Sequence, residues 1–201
     1  MERFHPTKQA LLKVTVKLIE EKGIDEITSE EVLDLSGISK GSLYHHFEDF
    51  ADLLETAIVY RFGKFVDLSI GMLSEVIQTA KSREELIEKL KEVTRETQSP
   101  ESYIARYERI SAIARVSRHE KMMKQMGEEQ ERLTGALADL YREAVERGWG
   151  DPKFDPRTIA VLVQAYSMGK VVDDFTPSHI SEANWNLLIG SIVERVLFPK
   201  K

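Results

Sequence analysis

The chain has 201 residues, and 28 Lys and Arg against 34 Asp and Glu leave a net charge of −6. Apolar residues at 42 % and charged residues at 31 % exclude wholesale disorder and suit one or two globular domains. The absence of Cys excludes a disulfide framework, a thiolate metal site and a cysteine nucleophile, and the acidic balance by itself argues against a partner rich in phosphate.

From the N-terminus, Met1-Glu2-Arg3-Phe4-His5-Pro6 lacks the apolar stretch of a secretion signal. No run of about 18 apolar residues follows, so the expectation is a cytoplasmic chain that does not enter a membrane. Leu11, Val14, Leu18 and Ile19 recur at helical spacing and predict a first helix that ends at Lys22-Gly23. Thr28-Ser29-Glu30-Glu31 has capping-box spacing and opens a second through Val32, Leu33 and Leu35. Ser36-Gly37-Ile38-Ser39 reads as a tight turn, followed by a third helix over 40–47.

Leu54, Ile58, Phe62, Phe65 and Leu68 line one side of a long helix over 51–80. Ser82-Arg83-Glu84-Glu85 repeats the capping box, and Ser99-Pro100 and Asp155-Pro156 each set a capping residue before a Pro at the first helical position. Further helices are predicted over 101–117, 119–148, 156–174 and 181–198. Nothing alternates as a half-buried strand would, so the fold class is all-α, with about nine helices. Three short helices within the first fifty residues, with Gly at the last turn, describe a helix-turn-helix.

The third helix is unusual on its outer side. Leu43 and Phe47 fall at i and i+4 and point inward. Gly41, Ser42, Tyr44 and His45 lie on or beside the opposite face, where a merely solvated helix favours Glu, Lys and Gln. Gly lets a main chain approach closely, and hydroxyl and imidazole groups donate to phosphate oxygens. Ser39 and Lys40 add backbone N–H groups and a positive charge at the helix start.

The segment 11–24 resembles the first helix of TetR-family transcriptional regulators, and Ser36-Gly37-Ile38-Ser39-Lys40-Gly41-Ser42-Leu43-Tyr44-His45-His46-Phe47 resembles that family's turn and recognition helix. The likeness covers about residues 7–55. It implies a DNA-binding domain over 1–50 and an effector-binding and dimerisation domain over 51–201. By that resemblance Thr28, Lys40, Tyr44 and His45 hold phosphates, while Ser39, Gly41 and Ser42 lie nearest the base edges. It also implies a homodimer on a palindromic double-stranded DNA operator, most often as a repressor, released by a small-molecule effector. No cofactor is expected.

The chain departs from the family pattern at Glu30, Glu31 and Glu48-Asp49-Phe50, where basic residues are common, and at Ser29 and Leu33. Residues 1–50 hold ten acidic residues against Arg3, Lys8, Lys13, Lys17, Lys22 and Lys40, a net −4. This keeps a second reading open, a lipid or small-molecule binding protein on the same scaffold that does not bind DNA.

The candidate effector residues are Phe62, Phe65, Tyr103, Tyr107, Met122, Met126 and Tyr166, taken as interior aromatics and adaptable thioethers that suit an apolar or amphipathic molecule. The candidate dimer residues are Ile159, Val163, Trp185, Leu188 and Ile192, with Gly169 allowing close approach; the resemblance implies a four-helix bundle across a two-fold axis. His5, His45, His46, His119 and His179 have no metal-ligand spacing, and no nucleophile is paired with a base, so neither a metal site nor an enzyme is expected.

Overall fold

A computed structural model describes residues 5–116 and 119–200. Arg3, counted above among the cations, and residue 117, where one predicted helix ends, lie outside them. Among the described residues there is no strand. The described residues form ten α-helical segments, nine of seven residues or more and one short turn. By its contacts the chain divides into two units, residues 1–65 with 116–126, and residues 66–115 with 127–201.

The first unit begins with α1 (Pro6–Lys22), capped by the His5 imidazole, whose Nδ1 accepts from the Thr7 N–H. Gly23 ends it at φ +83°, in the left-handed half of the map that a side chain disfavours. α2 (Ser29–Ser36) follows, with the Thr28 hydroxyl accepting from the Glu31 N–H. The box is only half closed, because the Glu31 carboxylate turns to Lys22 at 2.5 Å. Gly37 at φ +66° makes the turn into α3 (Lys40–His46), which ends one residue before the predicted Phe47.

Leu11, Leu12, Val16, Leu18, Ile27, Val32, Leu43 and Phe47 form the core with Leu53 and Ala57 of α4 (Phe50–Thr79). Leu35, the last apolar residue of α2, is 61 % exposed. With only eight residues, α2 presents one inward turn, and Val32 and Leu33 fill it. The start of α7 (Glu120–Glu146) completes this unit: Lys121 reaches Asp52 at 2.8 Å, His119 lies 3.2 Å from Glu55, and Met122 is buried.

The second unit holds the remainders of α4 and α7, together with α5 (Arg83–Thr97), α6 (Tyr103–Val116), α8 (Pro156–Gly169), the turn α9 (Val171–Asp174) and α10 (Glu182–Ile192). The Ser82 hydroxyl caps α5 and the Asp155 carboxylate caps α8, as the sequence implies. The single helix predicted over 156–174 is divided at Lys170 into α8 and α9, and the last one widens into a π-type turn over Val193–Leu197. Arg83 ties α5 to that turn by donating to the carbonyls of Phe198 (2.8 Å) and Glu194 (3.1 Å). Such helix-end carbonyls lack partners within their own helix.

Candidate nucleic-acid interface

α3 is positioned from both of its ends. The Ser39 hydroxyl accepts from the Ser42 N–H at 3.2 Å and lies 3.0 Å from the Ser42 hydroxyl. Leu43, fully buried, and Phe47, 2 % exposed, pin its inner side. Lys40, Gly41, Tyr44 and His45 are then exposed and Ser42 is half-buried, so the face expected to meet DNA is free of the protein's own core. A Cβ added at Gly41 would meet open space, so packing inside the chain does not require glycine there. Thr28 is exposed at the start of α2.

The carboxylates around this face are engaged. Besides the Glu31–Lys22 pair, the Glu30 carboxyl is held below its ordinary range by its own backbone N–H, by Ser29 and by the charge of Lys40. Asp52 accepts from the Glu48 N–H at 3.1 Å, and Lys121 approaches both Asp52 (2.8 Å) and Glu48 (3.6 Å). Burial pushes the Asp52 carboxyl up, but Lys121, the Glu48 N–H and Lys8 outweigh it and hold it low.

His46 is half-buried, stacked on His5 with ring centroids 5.1 Å apart and edge-on to His45 at the same separation. Burial comes first among the causes that lower its pKa, followed by His45, His5 and Lys8. Among the described residues no group of three His, Cys, Asp or Glu could hold a metal ion.

The candidate effector residues divide between the units. Phe62, Met122 and Met126 are buried in the first, with Phe65 half-buried and its ring 6.0 Å from that of Phe62. Tyr103, Tyr107 and Tyr166 belong to the second. Tyr103 and Tyr107, read above as interior aromatics, are 47 % and 50 % exposed. Their i, i+4 face of α6 turns outward because Arg106 takes the inward position at that level, fully buried. The Tyr166 hydroxyl is hydrogen-bonded with Thr94 and Ser167, and burial raises its pKa.

Of the candidate dimer residues, Ile159 is buried within its own unit, Val163, Trp185 and Ile192 are half-buried, and Leu188 is 55 % exposed. Val161, Leu162 and Leu187 are also exposed, so α8 and α10 leave apolar side chains outside the core. A Cβ at Gly169 would meet nothing, so the close approach expected there is not made within the chain.

Sequence reasoning missed a buried polar cluster. Arg106 donates to both oxygens of Asp174 (2.8 and 2.7 Å) and to the carbonyls of Thr97 and Ser99, with Lys170 3.5 Å from Asp174. The i, i+4 pair Lys170/Asp174 was the only local signal for it.

Residues 11–57 match the family described as bacterial regulatory proteins, tetR family. A 75-residue stretch is 28 % identical to the HTH-type transcriptional repressor KstR2 of Mycolicibacterium smegmatis. That stretch takes in 37 % of this chain and 35 % of the relative, so the chain spans about a third of the length of the curated relative it matches.

Solved structures share the fold over nearly the whole chain. The reduced form of Escherichia coli NemR superposes with a TM-score of 0.66 at 14 % identity, over 98 % of this chain and 99 % of that one. A TetR-family regulator from Mesorhizobium loti gives 0.69 at 17 %, over 93 % of each chain. The ketosteroid transcriptional regulator KstR2 of Mycobacterium tuberculosis gives 0.56 at 16 %, over 98 % of each.

Proposed function

We propose that this chain, whose residues 11–57 belong to the TetR family of bacterial regulatory proteins, is a repressor that binds a palindromic DNA operator as a homodimer and releases it when a small molecule binds. The family is one of transcriptional regulators, not of enzymes. Among the described residues no helix is long and apolar enough to cross a membrane.

The observation that carries the reading is the outer face of α3, with Lys40, Gly41, Tyr44 and His45 exposed over a fully packed inner side. In this reading α3 enters the major groove. Ser39, Gly41 and Ser42 approach base edges, and Thr28, Lys40, Tyr44 and His45 hold the phosphates that set register. DNA binding belongs to residues 1–50, and effector binding and dimerisation to 51–201. Two recognition helices about one DNA turn apart require two subunits, and the exposed apolar residues of α8 and α10 supply the seam. The Lys121–Asp52 pair ties the start of α7 to the start of α4, just after the recognition helix, so a shift of either helix moves α3.

The net −4 of residues 1–50 favours the second reading, a small-molecule carrier that does not bind DNA. Gel shift on the DNA upstream of the protein's own gene separates the two. Retarded DNA, weakened alike on all sequences by Tyr44→Ala with His45→Ala while the helical circular dichroism stays intact, supports the repressor. Unretarded DNA supports the carrier, whereas retarded DNA with full affinity in that double variant overturns the assignment of Tyr44 and His45 as phosphate contacts.

A further inference from the structure

Lys40 is the one Lys or Arg of α3, and the first fifty residues carry a net −4. Affinity for DNA rests largely on neutralised phosphates, so such a domain gains from cations brought in from elsewhere in the chain. The first unit takes in a stretch outside the helix-turn-helix, residues 116–126. Within it, Lys121 and Lys124 of α7 outnumber Glu120, and both lysines are exposed.

The fold fixes this stretch beside the end of the recognition helix. Met122 is buried, His119 lies 3.2 Å from Glu55, and Lys121 is 2.8 Å from Asp52 Oδ1. Asp52 is itself held: its other oxygen accepts from the Glu48 N–H at 3.1 Å, and its own N–H donates to Asp49 Oδ1 at 2.8 Å. One carboxylate thus fastens Lys121 to the loop that begins one residue after Phe47. An ammonium has three hydrogens, and this bond takes one. A second carboxylate, Glu48, stands 3.6 Å away, and its side chain is 84 % exposed. Lys121 therefore sets a positive charge at a loop whose own charged residues, Glu48 and Asp49, are both acidic.

We propose that Lys121 is a DNA-backbone contact supplied from outside the helix-turn-helix. A phosphate displaces the loosely placed Glu48 carboxylate and takes the outward hydrogens of the ammonium, while Asp52 keeps its bond. The proposal rests on the repressor reading above and adds to its DNA-binding residues one from α7, a helix that continues into the second unit. Phosphate contacts position a protein without reading sequence, so Lys121 acts on all DNA alike.

A mere brace between α7 and the loop has a different signature. If the Lys121–Asp52 pair only steadies the loop, losing either partner weakens DNA binding. If Lys121 meets a phosphate, losing Lys121 removes the contact, whereas losing the Asp52 charge leaves the ammonium freer to make it.

The test uses the whole chain and two fluorescein-labelled duplexes, the DNA upstream of the protein's own gene and a random sequence of equal length, with anisotropy read across a salt series. Lys121→Met should lower affinity for both about tenfold at about 0.1 M salt and make the log–log salt slope shallower by about 1.8, from two phosphates per dimer at about 0.9 each. Lys121→Arg should keep the parental slope. Asp52→Asn, which retains an oxygen for the Glu48 N–H, should bind both duplexes at least as tightly as the parent, with no loss of slope. In the parent itself, DNA should shield Lys121 from amine acetylation, read by mass spectrometry, and leave Lys153 of the second unit reactive. That measurement needs no variant, so a misfolded variant does not blunt the test.

A parental slope in Lys121→Met, equal weakening by Lys121→Met and Asp52→Asn, or a Lys121 that DNA leaves unshielded overturns the contact and keeps the repressor reading. A parent chain that binds neither duplex overturns both, so the two failures are told apart.

Discussion

Replacing Asp174 with Ala removes the carboxylate that pairs with Arg106. The guanidinium is fully buried and Asp174 is 6 % exposed, with two bonds between them at 2.7 and 2.8 Å. Lys170, also 6 % exposed, loses the same partner. Breaking a buried pair from one side leaves uncompensated charge and costs about 3–5 kcal/mol, a large part of a typical domain stability of about 5–15 kcal/mol. Trp149 and Trp185 are the two tryptophans and both lie in the second unit, so their fluorescence during urea unfolding follows that unit alone. At a slope of about 2 kcal/mol/M, the midpoint falls by about 2 M.

Bonds from Arg106 come first among the causes that hold the Asp174 carboxyl below its ordinary range, and they outweigh its burial. A carboxyl lowered on folding contributes stability that is present above its unfolded pKa of about 3.9 and is lost as pH falls through the folded value. The difference between wild type and Asp174→Asn therefore stays constant from about pH 8 to pH 5 and shrinks only below about pH 4. A midpoint that falls by less than about 0.5 M in Asp174→Ala would refute the argument, because a loss near 1 kcal/mol is that of a hydrated surface pair.

Leu188→Glu and Ile192→Glu should fold, since both positions are at least partly exposed in the single chain, but each sets an unpaired charge in the proposed seam at a cost of several kcal/mol. Sedimentation should show monomers; a parent-like dimer moves the interface elsewhere. Glu48→Lys should tighten binding to specific and random DNA alike, more so at low salt, with each added phosphate contact steepening the log–log salt slope by about 0.9. Fluorescence anisotropy at two salt concentrations measures this, and unchanged affinity places the loop after Phe47 away from the backbone. Should a phosphate also reach His46, next to the proposed contact His45, lowering the pH from about 8 to 6 should strengthen DNA binding, because that phosphate would raise a pKa which burial and its neighbours hold down in the free protein. The gain fades as pH rises through the bound-state value, and a titration in which His46→Gln keeps the whole pH dependence excludes this residue as its source.

The first fifty residues were the most legible part of the chain. Thr28, Ser39, Ser82 and Asp155 cap the helices that follow them, and Gly23 and Gly37 take the positive φ that their turns require. Each of these signals acts over two to four residues, so it survives without knowledge of the rest of the fold. The outer face of α3 was legible for the same reason, since seven residues at 100° each leave little freedom once Leu43 and Phe47 point inward.

Burial farther along the chain was not legible in this way. Tyr103 and Tyr107 read as interior and stand outside, while Arg106 between them is sealed in by Asp174, 68 residues away. Leu188 and Ile189 are adjacent apolar residues, and packing buries the second but leaves the first exposed. Sequence by itself determined the all-helical class, most helix starts and the exposed outer face of α3, because those follow from contacts within a turn or two of the chain. Tertiary structure alone decided which apolar residues stay outside and which charges are paired. Those outcomes depend on what residues distant in sequence bring to the same place, and no local pattern encodes that.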